Sequence, residues 1–242
     1  MGRDYPSVYR YSAEDARRSD ELKQHARSLQ QNASCACAIE SSIRDCLTED
    51  GLKEGCADAV LKRHGFKRVN FVLANSLQEM GDSASIREDV RAWVRRTYVP
   101  EDGGNNRYYA VDTDAKLLEA FAAQVRDAYM ALGLFGAEHC VEDRSGLDYT
   151  GKVLLLSPDA IKENYWQVEN MLWEANTGFG CSPTARGRAV YATCLGDGER
   201  ARWDRNDFLG VLDDQFLPDW AREKLEELHA PQQDGPSMGG MG

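Results

Sequence analysis

The segment Thr177-Gly-Phe-Gly-Cys-Ser-Pro-Thr-Ala-Arg-Gly187 gathers residue types that can hold an anion. Three glycines, Gly178, Gly180 and Gly187, allow a backbone to approach a ligand closely. The N–H groups of such a loop, with Ser182, Thr184 and Arg186, have the chemistry to cradle a phosphate or carboxylate. The alternative is that the glycines only turn the chain between a helix and a strand. The segment is no Walker A loop, because no Gly-Lys-Ser/Thr ends it. It is no dinucleotide fingerprint either, since that runs from strand to helix. Downstream, Arg186 and Arg188 share one side of a strand, and Arg200 and Arg202 share one side of the next. Four guanidiniums on a two-stranded ribbon suit phosphates or an acidic partner. The competing reading pairs them internally with Glu199, Asp204 and Asp207, or with the flanking acidic stretches. Arg205 and Asp207, with Trp203, stand at the exit of the ribbon, where they lock it to the last helix.

Other reactive side chains point to less. Cys181 within the glycine loop is a nucleophile only if a base such as His139 lies beside it, and a packed thiol is the expected state. Cys35, Cys37, Cys46, Cys56 and His64 are enough in number for zinc, but their spacings match neither knuckles nor fingers. Cys35 and Cys46 also fall on an apolar helical stripe. His25, His64 and His229 sit near expected helix ends or polar faces, where solvated roles are expected. Trp166 and Trp173, seven apart, share a helix face that offers a second contact surface, between two halves or to a partner. No H-E-x-x-H, G-x-S-x-G or paired-carboxylate pattern occurs. No catalytic residue, metal or cofactor is therefore assigned.

The elements that must position these residues form two blocks. The first ~105 residues read as helices by their 3.6-residue apolar period. A polar helix over 12–30 opens with Ser12 and Asp15 as a loose capping box. Helices follow over 33–47 (Cys35, Ile39, Ile43, Cys46 inward), 53–64 (Cys56, Val60, Leu61) and 67–80 (Val69, Val72, Leu73, Leu77, Met80), and Gly65 ends the third. Ser85-x-x-Glu88 caps a helix carrying Ile86, Val90, Trp93 and Val94. The run Pro100–Asn106 breaks the pattern and is the expected domain boundary. Then Arg107–Val111 reads as a strand, Asp112 or Thr113 as a cap, and the residues to Leu132 as a helix. Lys152–Leu156 reads as a buried strand, and Ser157-Pro158 opens a helix extending to Ala175. Gly196-Asp197-Gly198 joins Arg188–Leu195 to Glu199–Arg205 in a hairpin. A last helix covers 218–228, and the residues from Pro231 are low in complexity and expected to be disordered. The expected fold is α+β: a helical domain over 1–105, an α+β domain over 106–230, and a tail over 231–242.

Charge narrows the function classes. The chain has 242 residues, 29 Lys+Arg and 40 Asp+Glu, a formal charge of −11. Residues 1–110 are balanced, so the excess lies in the second half. Within that half the five arginines from Arg186 to Arg205 form a positive island between two acidic stretches. Broad phosphate-backbone binding, which needs an extensive basic surface, is disfavoured. No run approaches the ~20 apolar residues of a membrane span, and the start has no signal-type apolar region. Seven cysteines without C-x-x-C fit reduced thiols and a cytoplasmic location.

Several segments are similar to a domain family of unknown function from phages and conjugative elements of gut-type Firmicutes, often found in long polyvalent proteins. They are Asn32-x-x-Cys35 with Ala38-Ile39-Glu40, Gly65-Phe66-x-Arg68-Val69 leading to Val72-Leu73-Ala74-Asn75, and Pro100-Glu101-Asp102 with Arg107-Tyr108. Later come Gly178-Phe179-Gly180-x-Ser182-Pro183-x-Ala185-Arg186-Gly187 and Arg205-x-Asp207-x-Leu209-Gly210. The resemblance spans roughly residues 5–228 and carries no catalytic residues. It implies a mobile-element setting, where neighbouring modules are linked to counter-defence. The expectation is a non-enzymatic binder that docks on a host protein through its acidic C-terminal half. The alternative is a nucleic-acid or nucleotide binder using Gly178, Gly180, Ser182, Arg186, Arg188, Arg200 and Arg202. An enzyme would rest on Cys181 alone.

Overall fold

Residues 7–81, 87–141 and 146–230 are described by the computed structural model, and they fall into two compact units. The first comprises the residues up to Gly133 together with Lys162–Asn164, the second Leu134–Ile161 and Tyr165 onward. The fold class is α+β, helical in the N-terminal half and sheet-rich after it.

Unit 1 is built from α1 (Ala13–Arg18), α2 (Leu22–Cys46), α3 (Asp58–His64), α4 (Phe66–Met80), α5 (Glu88–Arg95), α6 (Gly104–Tyr108) and α7 (Ala115–Met130). A two-residue ladder, β1 (Leu47–Thr48) with β2 (Gly51–Leu52), separates α2 from α3. Ser12 caps α1 as expected, its hydroxyl accepting the Asp15 N–H at 3.2 Å. Asp20 at φ 58° then breaks the polar helix. The helices expected over 12–30 and 33–47 are thus a single turn and a half followed by one continuous helix. The apolar stripes meet in one core that includes Cys35, Ile39, Phe71, Leu73, Leu118 and Phe121. Gly65 at φ 78° lets α3 pass directly into α4, a conformation that favours glycine. It offers no capping side chain, and Glu163 supplies one: its carboxylate accepts the Phe66 and Lys67 N–H groups at 3.0 and 2.6 Å. Ser85 and Ile86 lie outside the described residues, as does the tail from Pro231.

Further expectations in this unit are corrected. Arg107–Val111 is not a strand, because Gly104–Tyr108 is a helical turn and Tyr109 leaves it buried against Phe71, rings stacked at 5.9 Å. Tertiary packing overrides the β-propensity of Tyr and Val here. The cap of α7 is Asp114, which accepts the Lys116 N–H at 2.9 Å, rather than Asp112 or Thr113. Pro100–Asn106 lies inside unit 1, where the Asn106 side chain bonds Asp102 N, Asn75 and the Pro100 carbonyl.

Unit 2 is an antiparallel sheet of β3 (Val153–Leu156), β4 (Leu172–Thr177), β5 (Ala189–Cys194), β6 (Arg200–Asp204) and β7 (Phe208–Val211), in the order β6-β5-β4-β3-β7. The helix expected from Pro158 to Ala175 is instead a turn, the four-residue α8 (Val168–Met171) and then β4. Leu172–Ala175 pairs on both sides, with β3 and β5, and alternates Leu172 and Glu174 on one face with Trp173 and Ala175 on the other. Trp166 and Trp173 therefore share no helix face. Trp173 packs edge-on against Trp203 at 5.2 Å, and Trp166 donates its indole N–H to the Pro158 carbonyl. The glycine loop accordingly follows a strand rather than a helix. One sheet face buries Leu154, Trp173, Ala175, Val190 and Ala192. On the other, Leu155, Leu172 and Leu195 pack with Ala221, Trp220 and Leu225 of α9 (Asp219–His229).

Candidate functional site

The expected hairpin is present as β5 and β6, paired with Tyr191 opposite Arg202 and Thr193 opposite Arg200. Directly opposed residues point to the same face. Arg200 and Arg202 thus share a face with Tyr191 and Thr193, while Val190 and Trp203 point into the core on the other. Arg188 immediately precedes Ala189 and by alternation takes the face of Val190. The four arginines do not converge. Arg188 lies on the opposite side of the ribbon from Arg200 and Arg202, and Arg186 precedes the ladder.

All four are exposed and, among the described residues, their guanidinium groups make no hydrogen bond or ion pair. Two of the acids expected as their partners, Asp204 and Asp207, serve backbone groups instead. Asp204 accepts the Asn206 N–H at 2.9 Å, Asp207 accepts the Asp204 N–H at 2.8 Å, and Asp197 accepts the Glu199 N–H at 2.9 Å. Short Asp side chains favour such local turns.

The glycine loop is braced from within. A Cβ on Gly178 would stand 2.2 Å from the Ala189 carbonyl oxygen, and one on Gly180 2.2 Å from that of Arg188. The glycines are there because the loop lies against the backbone leading into β5. Ser182 and Thr184 pair with each other at 3.2 Å. Arg205 holds the loop, donating to the carbonyls of Gly180, Cys181 and Leu147 at 2.7–2.9 Å, with its guanidinium 3.7 Å over the Tyr149 ring. Its donors face protein carbonyls rather than an open site.

Cys181 is buried near Thr150, Asp148 and Arg205, and burial pushes its thiol up. His139 lies elsewhere, ringed by Phe135 and Phe216 at 4.9 and 4.8 Å, and is not its base. Cys35 is in the core of unit 1, where burial raises it to about 12. Among the described residues no group of three or more His, Cys, Asp or Glu side chains is placed to hold a metal ion.

Unit 1 has a shallow cleft that the sequence reading passed over, about 270 Å³ counting space open to solvent, lined by Tyr9, Tyr11, His25, Ser28, Asn32 and Asp102 among others. His25 donates from Nε2 to Asp102 at 2.9 Å. Asp102 also accepts from Ala13 N and Asn105 Nδ2, each at 3.0 Å. Burial raises this carboxyl, but those donors outweigh it and hold it below the ordinary value. The signal in the sequence was the spacing His25, Ser28, Leu29, Asn32, one face of α2. Deeper in, Arg68 is buried and donates to the Ser28 and Ser7 carbonyls and to the Asn32 and Gln31 side chains. Burial lowers it to about 10.

The family model described as "Protein of unknown function (DUF3849)" matches residues 8–130, half of the chain, and the chain belongs to that family. No curated protein and no solved structure matches it. The matched span holds Asn32, Arg68, Asn75, Asp102 and Asn106. The glycine loop and the hairpin lie beyond it. No described helix is long and apolar enough to cross a membrane.

Proposed function

We propose that this is a non-enzymatic binding protein that docks on another protein through the arginine-bearing hairpin of unit 2. The observation that carries the reading is the pair Arg200 and Arg202, exposed on one sheet face with no side-chain partner among the described residues. A guanidinium left unpaired on a rigid strand is ready for a carboxylate at little ordering cost. The surrounding charge of −11 opposes a polyanion as dense as nucleic acid, while the two guanidiniums favour a short acidic segment. The acidic stretches expected to form the docking surface contribute less to this reading, which rests on the arginine pair. The setting implied by the resemblance, a host protein engaged in counter-defence or regulation by a phage or conjugative element, belongs to the same proposal.

The test titrates the full chain with a capped acidic peptide at low and at physiological salt. Replacing both arginines (Arg200→Gln with Arg202→Gln) weakens binding about three- to tenfold and flattens the salt dependence, as expected for two exposed ion pairs. Identical affinity and salt response in wild type and variant overturns the reading. Tighter binding of a single-stranded oligonucleotide than of the peptide favours the nucleic-acid alternative.

A further inference from the structure

Beyond charge, the hydrogen-bond phase of the hairpin says how a partner is held. Cys194 N–H donates to the Glu199 carbonyl at 2.8 Å, and Arg205 N–H to that of Arg188, also at 2.8 Å. These two bonds set the phase of an antiparallel ladder, in which alternate residues point their backbone groups toward the neighbouring strand. Glu199, Ala201, Trp203 and Arg205 therefore face β5. The N–H and C=O groups of Arg200 and Arg202 face away from it, along the edge of the sheet.

The two edges of the sheet are not alike. At β7, Val141 N–H donates to the Val211 carbonyl at 3.0 Å, Cys140 bridges Leu212, and Asp213 N–H donates to the His139 carbonyl at 3.0 Å. That edge is covered. At β6, Asp207 takes the Asp204 N–H and so ends the edge on one side. Among the described residues, Arg200 and Arg202 then present the edge's backbone groups unpaired, flanked by their own free guanidiniums. Charged side chains on an edge strand keep copies of one chain from pairing edge to edge. The same charges admit a strand of opposite sign.

We infer that β6 accepts an extended acidic segment of a partner protein as a sixth strand, paired through the backbone of Arg200 and Arg202 and selected by their guanidiniums. The segment's occupant chemistry follows from the surface: alternate side chains of an added strand meet the face of Arg200, Arg202 and Tyr191, so carboxylates belong at every second position. This mode rests on the reading of the hairpin as the docking surface, and the experiment separates the two.

The probe is a capped peptide of about eight residues alternating glutamate and threonine, long enough to span the edge strand. Fluorescence anisotropy of the labelled peptide reads affinity for the full chain, and amide hydrogen exchange reads the backbone. Arg202→Pro removes an N–H that faces the edge and leaves the β5–β6 ladder intact, as proline is accommodated on edge strands. The expected result is about tenfold or greater loss of affinity with Arg202→Pro, and peptide-induced protection of the Arg200 and Arg202 amides in the wild type. Wild-type affinity in the proline variant, or no protection at those amides on saturation, overturns strand addition even where the Arg→Gln pair shows that charge matters. Unchanged affinity in the Arg→Gln pair overturns the docking reading itself. The exchange measurement uses unaltered protein, so it decides the matter if the proline variant does not fold.

Discussion

In unit 1 the polar side chains that lie inside face one another: Arg68 with Asn32 and Gln31, Asn75 with Asn106, His25 with Asp102. In unit 2 Asp197, Asp204 and Asp207 serve turn N–H groups, and Arg186, Arg188, Arg200 and Arg202 are exposed. The matched family span, residues 8–130, contains the first kind of residue. Satisfied buried polar groups specify a structure. Exposed, ordered and unsatisfied ones are where a second molecule gains most. On the reading proposed above, a partner meets the exposed arginines of unit 2 rather than the satisfied polar groups of unit 1.

That contrast can be broken in graded ways. The largest effect is expected at Arg68. Arg68→Met leaves several buried acceptors without donors and costs unit 1 about 3–5 kcal/mol, read by denaturant unfolding followed in the helical signal. A loss below about 1 kcal/mol contradicts the internal network. Arg205→Met comes next, freeing three carbonyls and the Tyr149 face, with an expected cost of about 2–3 kcal/mol. Four of the five tryptophans, Trp166, Trp173, Trp203 and Trp220, lie in unit 2, so intrinsic fluorescence reports this loss directly.

Asp102→Asn is smaller, about 1–2 kcal/mol, and carries a pH signature. The folded carboxyl is held below its unfolded value, so its contribution is complete above the unfolded value of about 4 and is lost as pH falls through the folded one. The variant therefore loses stability near neutrality and shows a shallower acid limb than wild type. Equal slopes would detach the His25–Asp102 pair from stability. The smallest effect is at the arginine pair. Arg200→Gln with Arg202→Gln changes stability by no more than about 0.5 kcal/mol while lowering peptide affinity. A larger destabilisation would make those arginines structural and erase the contrast.

A helix such as α4 was legible from its 3.6-residue rhythm, and Val69, Val72 and Leu73 are buried as expected. The hairpin was legible from its Gly-Asp-Gly turn. Leu172–Ala175 misled because its apolar spacing fits a helix continuing from α8 as well as a strand, and only pairing with β3 and β5 decides between them. The arginines were found by type and spacing, yet their division between faces depends on register, which no single strand carries. His25 was read as solvated because its partner, Asp102, is 77 positions away.

By itself the sequence determined the helical first half, the hairpin, the acidic excess and the arginine island, because each is written in local composition and period. Tertiary structure alone decided that the glycines brace a loop, that the aspartates cap turns, and that one edge of the sheet is open. Those properties depend on which distant backbone groups meet, and backbone groups are the same for every residue. A sequence can name the side chains of an edge strand, but only the assembled sheet shows whether its N–H and C=O groups already have partners.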